Sequence, residues 1–484
     1  MVGEAAPRIA VVGAGISGLA GAHRLRTLLG AGAQITLIER ADRVGGVLRT
    51  VDLAGQPMDV GAEAFLARRP ELPALAADLG LVDRILHPGS ASPTIRAGGR
   101  TMALPAGTLL GIPGSAARLD QVLSAAGLAR VAGERDRDLS WAAGEDRPLG
   151  ELLRERLGDE VADRLVEPLL GGVYAGRVDK LGTRACVPTL ASALDGGAAS
   201  LTAAVDSCLN AAPPTPGAPG GPVFGALRGG YRVLLDALLD AAGVRPRLGL
   251  TVREVARAGK GWRLEVGSAA DSEYLDVDAV LLAVPTPALR RLLSGPAPVA
   301  VAAVGGVELA SSVVVALAYR ERDVAGLPAG SGVLIAAGEP LASKAFTYSS
   351  NKWPHLAPGS TDGLVRLRAS LGRAGDETTL QVPDGELVAR VRADLYELTG
   401  VGADPVAVHV QRWGGGLPQY GVGHGERVAR LERSVADLPG LEIAGSLLNG
   451  VGVPACIGTA RAAAERIATH LAGRSTPVDG SMAV

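Results

Sequence analysis

The run RIAVVGAGISGLAGAHRL, from Arg8 to Leu25, constrains this chain more than any other stretch. Four apolar residues, Ile9 to Val12, lead straight into Gly13-x-Gly15-x-x-Gly18, and a helical apolar pattern continues from Ser17 to about Leu29. A second β-like run, QITLIER (Gln34 to Arg40), carries Glu39, 21 residues beyond Gly18. In such a strand–turn–helix one glycine permits the tight turn, one lets a pyrophosphate approach the backbone, and one lets helix and strand pack closely. The helix start then faces the phosphates, and an acid closing the second strand can accept both ribose hydroxyls. Glycine is 67 of 484 residues, so the spacing alone would mean little. The strand before it and the helix after it make it a dinucleotide site.

The length calls for two or three domains. With 47% apolar residues, 20% charged residues and a net charge of −2, the chain has ample core and no electrostatic case for nucleic acid. Cys186, Cys208 and Cys456 are odd in number and far apart, which favours reduced thiols and a cytoplasmic setting. No secretory-type leader is legible at the N-terminus. Val299 to Tyr319 is nearly all apolar, yet Gly305, Gly306 and Glu308 split it, and SSVVVALAY is β-branched like a buried strand. The expectation is a soluble chain, with peripheral membrane contact left open. Only four of the 48 basic residues are lysines: Lys180, Lys260, Lys344 and Lys352.

Further along, a short amphipathic helix is expected from Pro70 to about Gly80 and strand character from Thr94 to Ala103. Residues 113–209 read as a helical insertion, with Leu at three- and four-residue spacings. The Pro/Gly-rich stretch 210–222 reads as a flexible loop. LTVREV and WRLEV suggest an antiparallel meander, and DAVLLAVP (Asp278 to Pro285) a return strand of the nucleotide sheet. Several strands and a helix near Asp384 to Leu398 come next, then a Gly-rich turn and a long helix from about Ala455. The fold class is α/β: a Rossmann-like dinucleotide domain (1–90, 223–294 and 430–475), an antiparallel-sheet substrate domain (91–112 and 295–429), the helical domain, and a disordered tail at 476–484.

The residues just after Glu39 choose between dinucleotides. A nicotinamide domain ordinarily proceeds to another helix and strand, but ERADRVGG places Arg43, Gly45 and Gly46 there, before VLRT and MDVGAEAFL. This second Gly-Gly turn, with the closing GLEIAGSLLNGVGVPACIGTARAAAERI, resembles the flavin-dependent amine oxidase superfamily. Four more stretches resemble its porphyrinogen oxidases of haem biosynthesis: GAEAFLARRPELPALAADLGL, LPAGTLLGIPGS, EPLLGGVYAGRVDKL and LPQYGVGHGERV. The likeness runs in order from residue 8 to about 470. Ala62 departs from it, standing where a Pro is common, as does the context of Gly172. The short GIP and GVGVPACI forms look like the bacterial type acting on coproporphyrinogen III, and the protoporphyrinogen IX type is the alternative.

The resemblance implies FAD held without a covalent bond, a tetrapyrrole substrate with O2 as acceptor, and transient contact with neighbouring haem-pathway enzymes. A porphyrinogen's sp³ meso carbons donate hydride to flavin N5 in three two-electron steps, H2O2 leaves, and aromatisation drives the reaction. The implied FAD residues are Gly13, Ala14, Gly15, Ile16, Ser17, Gly18, Glu39, Arg40, Arg43, Gly46 and Val47. Gly61, Ala62, Glu63, Ala64, Val451, Gly452 and Val453 would approach the flavin, and Val252 the adenine end. Trp413 reads either as a flavin neighbour or as an ordinary core residue. Arg68 and Arg69 read either as a solvated pair or, for Arg69, as a grip on a substrate propionate, because Arg holds carboxylates bidentately. Cys456 reads as a small buried hydrophobe, and His424 as a turn residue. The six His show no metal-ligand spacing, so no metal is expected.

Amine oxidation or desaturation is a second enzyme class, although 3% aromatics makes an aromatic amine cage harder to build. A flavin-free binding protein of this fold, like the GDP-dissociation inhibitors, would normally lose the Gly18–Glu39 spacing or the closing turn. Both are intact.

Overall fold

Four parallel strands carry the glycine turn, in the order Gln34–Ile38, Arg8–Val12, Ala279–Leu282, Leu441–Ile443. Ile9, Val11 and Leu281 pack on one face with the helices Ile16–Leu29, Tyr231–Ala242 and Val453–Arg474. Ala10, Val12, Val280 and Leu282 pack on the other. Burial on both faces is why these strands read as continuous apolar runs. A Cβ at Gly21 would strike the Leu281 side chain, so that glycine lets the first helix sit directly on the sheet. The computed structural model describes residues 6–211, 222–357, 359 and 362–474, so most of the expected loop at 210–222 and the expected tail at 476–484 lie outside the described residues.

The meander is Val252–Ala258, Gly261–Gly267 and Ser272–Val277, antiparallel throughout. It covers the second face through Trp262, which is fully buried and lies under the Arg257 guanidinium at 4.4 Å. The helices Pro298–Val304 and His424–Ala436 contribute Ala300, Val304, Val428 and Leu431 to this same core. By packing they go with the parallel sheet, whereas the sequence division at 295 and 430 put Pro298–Val304 and the first turns of the second helix with the substrate domain. The apolar run from Val299 thus splits into a short helix and the buried strand Leu309–Arg320.

That strand is second from one edge of a seven-stranded sheet ordered Ala407–Pro418, Leu309–Arg320, Leu364–Leu371, Ser343–Thr347, Gly332–Ile335, Pro93–Ala97, Arg100–Ala103. All neighbours are antiparallel except Gly332–Ile335 with Pro93–Ala97, a parallel pair that the all-antiparallel expectation did not include. One face is closed by the helix Asp384–Thr399 through Leu387, Val391 and Leu395. The other carries Val314, Ala316 and Ala318 against the hairpin Thr50–Leu53 and Gln56–Asp59. The helical segment has its own core around Leu152, Leu153, Leu165 and Leu190, and its helix Glu167–Tyr174 packs on the far end of the large sheet.

Candidate cofactor and substrate site

The turn after Arg8–Val12 is built from backbone. Gly13 adopts φ +98, donates its N–H to the Ile38 carbonyl at 2.8 Å, and leaves no room for a side chain beside the Ala283 carbonyl. A Cβ at Gly18 would collide with the Gly13 carbonyl, so this glycine sets the helix–turn distance. Gly15 caps the helix Ile16–Leu29 with no side chain, and a Cβ there would meet only the Gly46 Cα, 4.0 Å away. An uncapped helix start beside open space is the donor set a pyrophosphate needs.

Glu39 is pinned at both oxygens: one accepts the Ala14 N–H and the other the Ala41 N–H, each at 2.8 Å. Its main chain leaves the sheet to bond Arg247 and Leu250, which bring the neighbouring strand and the buried Val252 alongside. The second Gly turn closes on the first, with the Gly45 N–H bonded to the Ala14 carbonyl at 2.8 Å. Arg43 braces that turn through the Gly46 carbonyl at 2.7 Å and the Val44 carbonyl at 3.0 Å. Val47 is exposed beside it, and Arg40 is exposed with no partner among the described residues.

Gly61 is where hairpin, sheet and second turn meet: a side chain there would overlap the Val47 carbonyl and press the Trp413 ring at 3.1 Å. Trp413 is half-buried, packed against the core that the hairpin shares with the large sheet, and its Nε1–H donates to the Val60 carbonyl at 2.9 Å. Arg368 donates to the Asp59 and Gly61 carbonyls at 3.0 and 2.9 Å, fixing the loop that leads into Ala62 and Ala64. The Glu63 carboxylate is buried and used up by the fold. Lys352 donates to it at 2.9 Å, Ser349 at 3.0 Å, and Arg368 lies 3.8 Å away. Burial pushes that carboxyl up, but the two cations outweigh it and hold it at about 2. Glu63 can therefore offer a cofactor its backbone only. Asp59, by contrast, is pushed up to about 7 by burial, against the hydrogen bonds from Thr50 and the Tyr231 N–H.

The closing turn Gly450–Gly452 leads into the 22-residue helix Val453–Arg474, with the Cys456 N–H on the Gly452 carbonyl at 3.1 Å. Tyr420 holds it, accepting the Gly450 N–H at 3.0 Å and donating to the Ser446 carbonyl. His424 stacks on Tyr420 at 3.8 Å and bonds the Leu447 carbonyl at 2.9 Å, so it braces this turn from the start of its own helix. Burial pushes the Cys456 thiol up to about 11, so it stays protonated at neutral pH. Ser17 is buried. Arg69 is ion-paired with Glu71, and its side chain is 41% exposed. Arg68 is exposed and unpaired among the described residues.

Two of the sequence-derived turns, Gly13–Gly18 and Gly45–Val47, meet directly through the Gly45–Ala14 bond, and the helix that Val453 opens packs along the helix Ile16–Leu29. Among the described residues no cluster of His, Cys, Asp and Glu is placed to hold a metal ion, and no helix is long and apolar enough to cross a membrane. Sequence reasoning missed the partners that support these turns, namely Arg368, Lys352, Asp59 and Tyr420. Asp59 and Tyr420 lie inside the quoted stretches MDVGAEAFL and LPQYGVGHGERV, but the residues all four serve are far away in sequence, so their roles were not legible there.

Residues 16–468 match the family model of flavin containing amine oxidoreductases. The chain belongs to that family. Its cofactor is FAD, and the uncapped helix start, the open space at Gly15 and the carboxylate of Glu39 are the donor and acceptor set that group needs. The chain is 47% identical over 452 residues to the coproporphyrinogen III oxidase of Mycobacterium tuberculosis, covering 93% of this chain and 95% of that protein. It is 30% identical over 477 residues to the coproporphyrinogen III oxidase of Bacillus subtilis, covering 96% and 98%. A solved structure from Exiguobacterium, provisionally assigned as a protoporphyrinogen oxidase, superposes with a TM-score of 0.83 at 29% identity, covering 96% of this chain and all of that one. The flavoenzyme is thus similar to porphyrinogen oxidases along nearly its whole length.

Proposed function

We propose that this flavoenzyme oxidises coproporphyrinogen III to coproporphyrin III by six electrons, with O2 as acceptor and H2O2 as product. The full-length likeness to coproporphyrinogen III oxidases carries this reading. When bound, FAD supplies the two-electron acceptor that the substrate's meso carbons reduce.

The chain's own residues bind and orient. The N–H groups of Ala14 to Gly18 would hold the phosphates, beside the Gly46 turn that Arg43 braces, and Glu39 would accept the ribose hydroxyls. Val252 lies at the adenine end. Gly61, Ala62, Ala64 and Trp413 would lie along the flavin ring, and Val451, Gly452 and Val453 would offer it a helix start. That helix start favours negative charge. With Cys456 buried and protonated, FAD is held without a covalent bond. Arg69 is the nearest candidate for a substrate carboxylate, exchanging Glu71 for it. The setting is cytoplasmic, with contact to a membrane or to neighbouring haem-pathway enzymes transient.

Anaerobic presentation of coproporphyrinogen III and of protoporphyrinogen IX, with flavin bleaching followed against time, tests this. Faster bleaching by coproporphyrinogen III supports it; faster bleaching by protoporphyrinogen IX replaces it with the alternative.

A further inference from the structure

Beyond the end of the helix Glu167–Tyr174, a cavity of about 290 Å³ opens at the strand ends of the large sheet, with Arg177, Lys344 and Arg373 in its wall. Lys344 and Arg373 also line a second, adjoining cavity beside Glu167, Gly171 and Gly172. The charges here are unbalanced. Lys344 donates to the Gly372 carbonyl at 2.8 Å and Arg177 to the Ala374 carbonyl at 3.3 Å, and neither has a carboxylate within 4.0 Å among the described residues. Arg373 donates to the Ile335 carbonyl at 3.2 Å and reaches Glu167 only at 3.7 Å. Glu339 and Asp376, also in the wall, are engaged elsewhere: Glu339 with Arg96 at 3.5 Å and the Gly99 N–H at 3.1 Å, Asp376 with Thr378 and Thr379 at 2.9 and 2.6 Å. Arg177 is exposed at the rim, Lys344 and Arg373 are half-buried, and the three share one long ion pair, so the wall keeps a net positive charge even with the Asp376 carboxylate counted. Burial, and then the Arg373 charge, push the Lys344 ammonium down to about 8, the strain an incoming carboxylate would relieve.

The cavity is tied to the closing turn at Gly450 by a short chain of contacts. Tyr420 bonds Gly450 of the closing turn, and its neighbour Gln419 donates to the Tyr174 carbonyl at 2.7 Å. Ala175 then accepts the Ala374 N–H at 2.7 Å, one residue from Arg373. Sheet register sets the span. Trp413 pairs with Ser312, Val313 with Leu371, and Leu371 with Ser343, so Trp413 and Lys344 stand at the same end of the sheet three strand spacings apart. That is ~14 Å, comparable with the reach of a tetrapyrrole and one extended carboxylate arm.

We propose that Arg177, Lys344 and Arg373 form a subsite that holds a propionate carboxylate of the tetrapyrrole at the end remote from the flavin. This rests on the porphyrinogen reading and deepens it, since a substrate with four propionates needs cations at more than the Arg69 end.

The test measures the affinity of the FAD-loaded enzyme for coproporphyrin III, for its uncharged tetramethyl ester and for a two-carboxylate porphyrin. It compares the wild type with Lys344→Gln, Lys344→Arg and Arg373→Gln, with flavin content as the folding check. Lys344→Gln should weaken coproporphyrin III by about tenfold, leave the tetraester unchanged and affect the two-carboxylate porphyrin less. Lys344→Arg should restore most of the loss. Unchanged coproporphyrin III affinity in Lys344→Gln, or equal losses for acid and ester, overturns the subsite. A wild type that binds no porphyrin overturns the underlying reading instead. If Arg373→Gln loses its flavin, the two Lys344 variants decide alone.

Discussion

Glu39 accepts the backbone N–H of Ala14 at 2.8 Å, so the acid that ends the second strand is bonded to the middle of the glycine turn 25 residues earlier. Its other oxygen accepts the Ala41 N–H. The geometry sharpens the expectation for Glu39→Gln. The amide would direct its own N–H groups at one of those two backbone donors and lose the charge as well. We expect FAD affinity to fall by ~1–3 kcal/mol, read by titrating apoprotein with FAD. Unchanged affinity would remove Glu39 from the cofactor site.

Arg69 pairs with Glu71, on a helix start beside the N-terminal end of the final helix. If Arg69 serves a substrate carboxylate, Glu71 competes with it. Arg69→Ala should raise KM for coproporphyrinogen III about tenfold with a smaller fall in kcat. Glu71→Gln should lower KM, and Arg68→Ala should do neither. An Arg69→Ala variant that keeps its KM, or a Glu71→Gln variant with raised KM, would return the pair to a structural role.

Asp59 gives a pH-dependent prediction. Burial raises its carboxyl to about 7 in the folded chain, above its ordinary value near 3.8. A group raised on folding contributes stability that is full below the unfolded value and lost as pH rises through the folded one. The contribution therefore declines across about pH 4 to 7. Asp59→Asn mimics the neutral acid, so its thermal midpoint should gain on the wild type between pH 5 and pH 8. A constant difference between the two midpoints at those pH values would contradict the buried, protonatable Asp59.

In the helical segment, Arg156 donates to Glu134 at 2.9 and 3.0 Å, and both side chains are almost wholly buried. Arg156→Met leaves that carboxylate without its cation and should cost about 3 kcal/mol. The lower end of the usual range applies because the Leu201 N–H and the Thr202 hydroxyl still serve Glu134 at 2.8 Å. Adding Glu134→Gln should recover part of the loss, because no charge is then left buried. Chemical denaturation of Arg156→Met, Glu134→Gln and the double variant measures this, and strictly additive losses would speak against a coupled pair.

The nucleotide half was legible because its signals are local. The strand Arg8–Val12, the helix behind it and the return strand Ala279–Leu282 are continuous apolar runs broken by glycine, and they stand where the sequence places them. The second strand stops at Ile38, earlier than QITLIER suggests, because the Glu39 main chain turns to Arg247 and Leu250. The features that stayed hidden join distant segments. Glu63 meets Lys352, Asp59 meets Tyr231, and Arg177 meets Lys344 and Arg373 only once the helical segment lies against the large sheet. The one local clue was Lys344 itself, a lysine in a chain that uses arginine for nearly every other cation.

The most direct test of the account is the anaerobic half-reaction. Purified enzyme, yellow with FAD, is mixed with coproporphyrinogen III or protoporphyrinogen IX in the absence of O2, and flavin absorbance is followed. The account predicts rapid bleaching by coproporphyrinogen III, slower bleaching by protoporphyrinogen IX, and recovery of colour with H2O2 release when O2 is admitted. A flavin that neither porphyrinogen bleaches, but that an amine reduces, would contradict it.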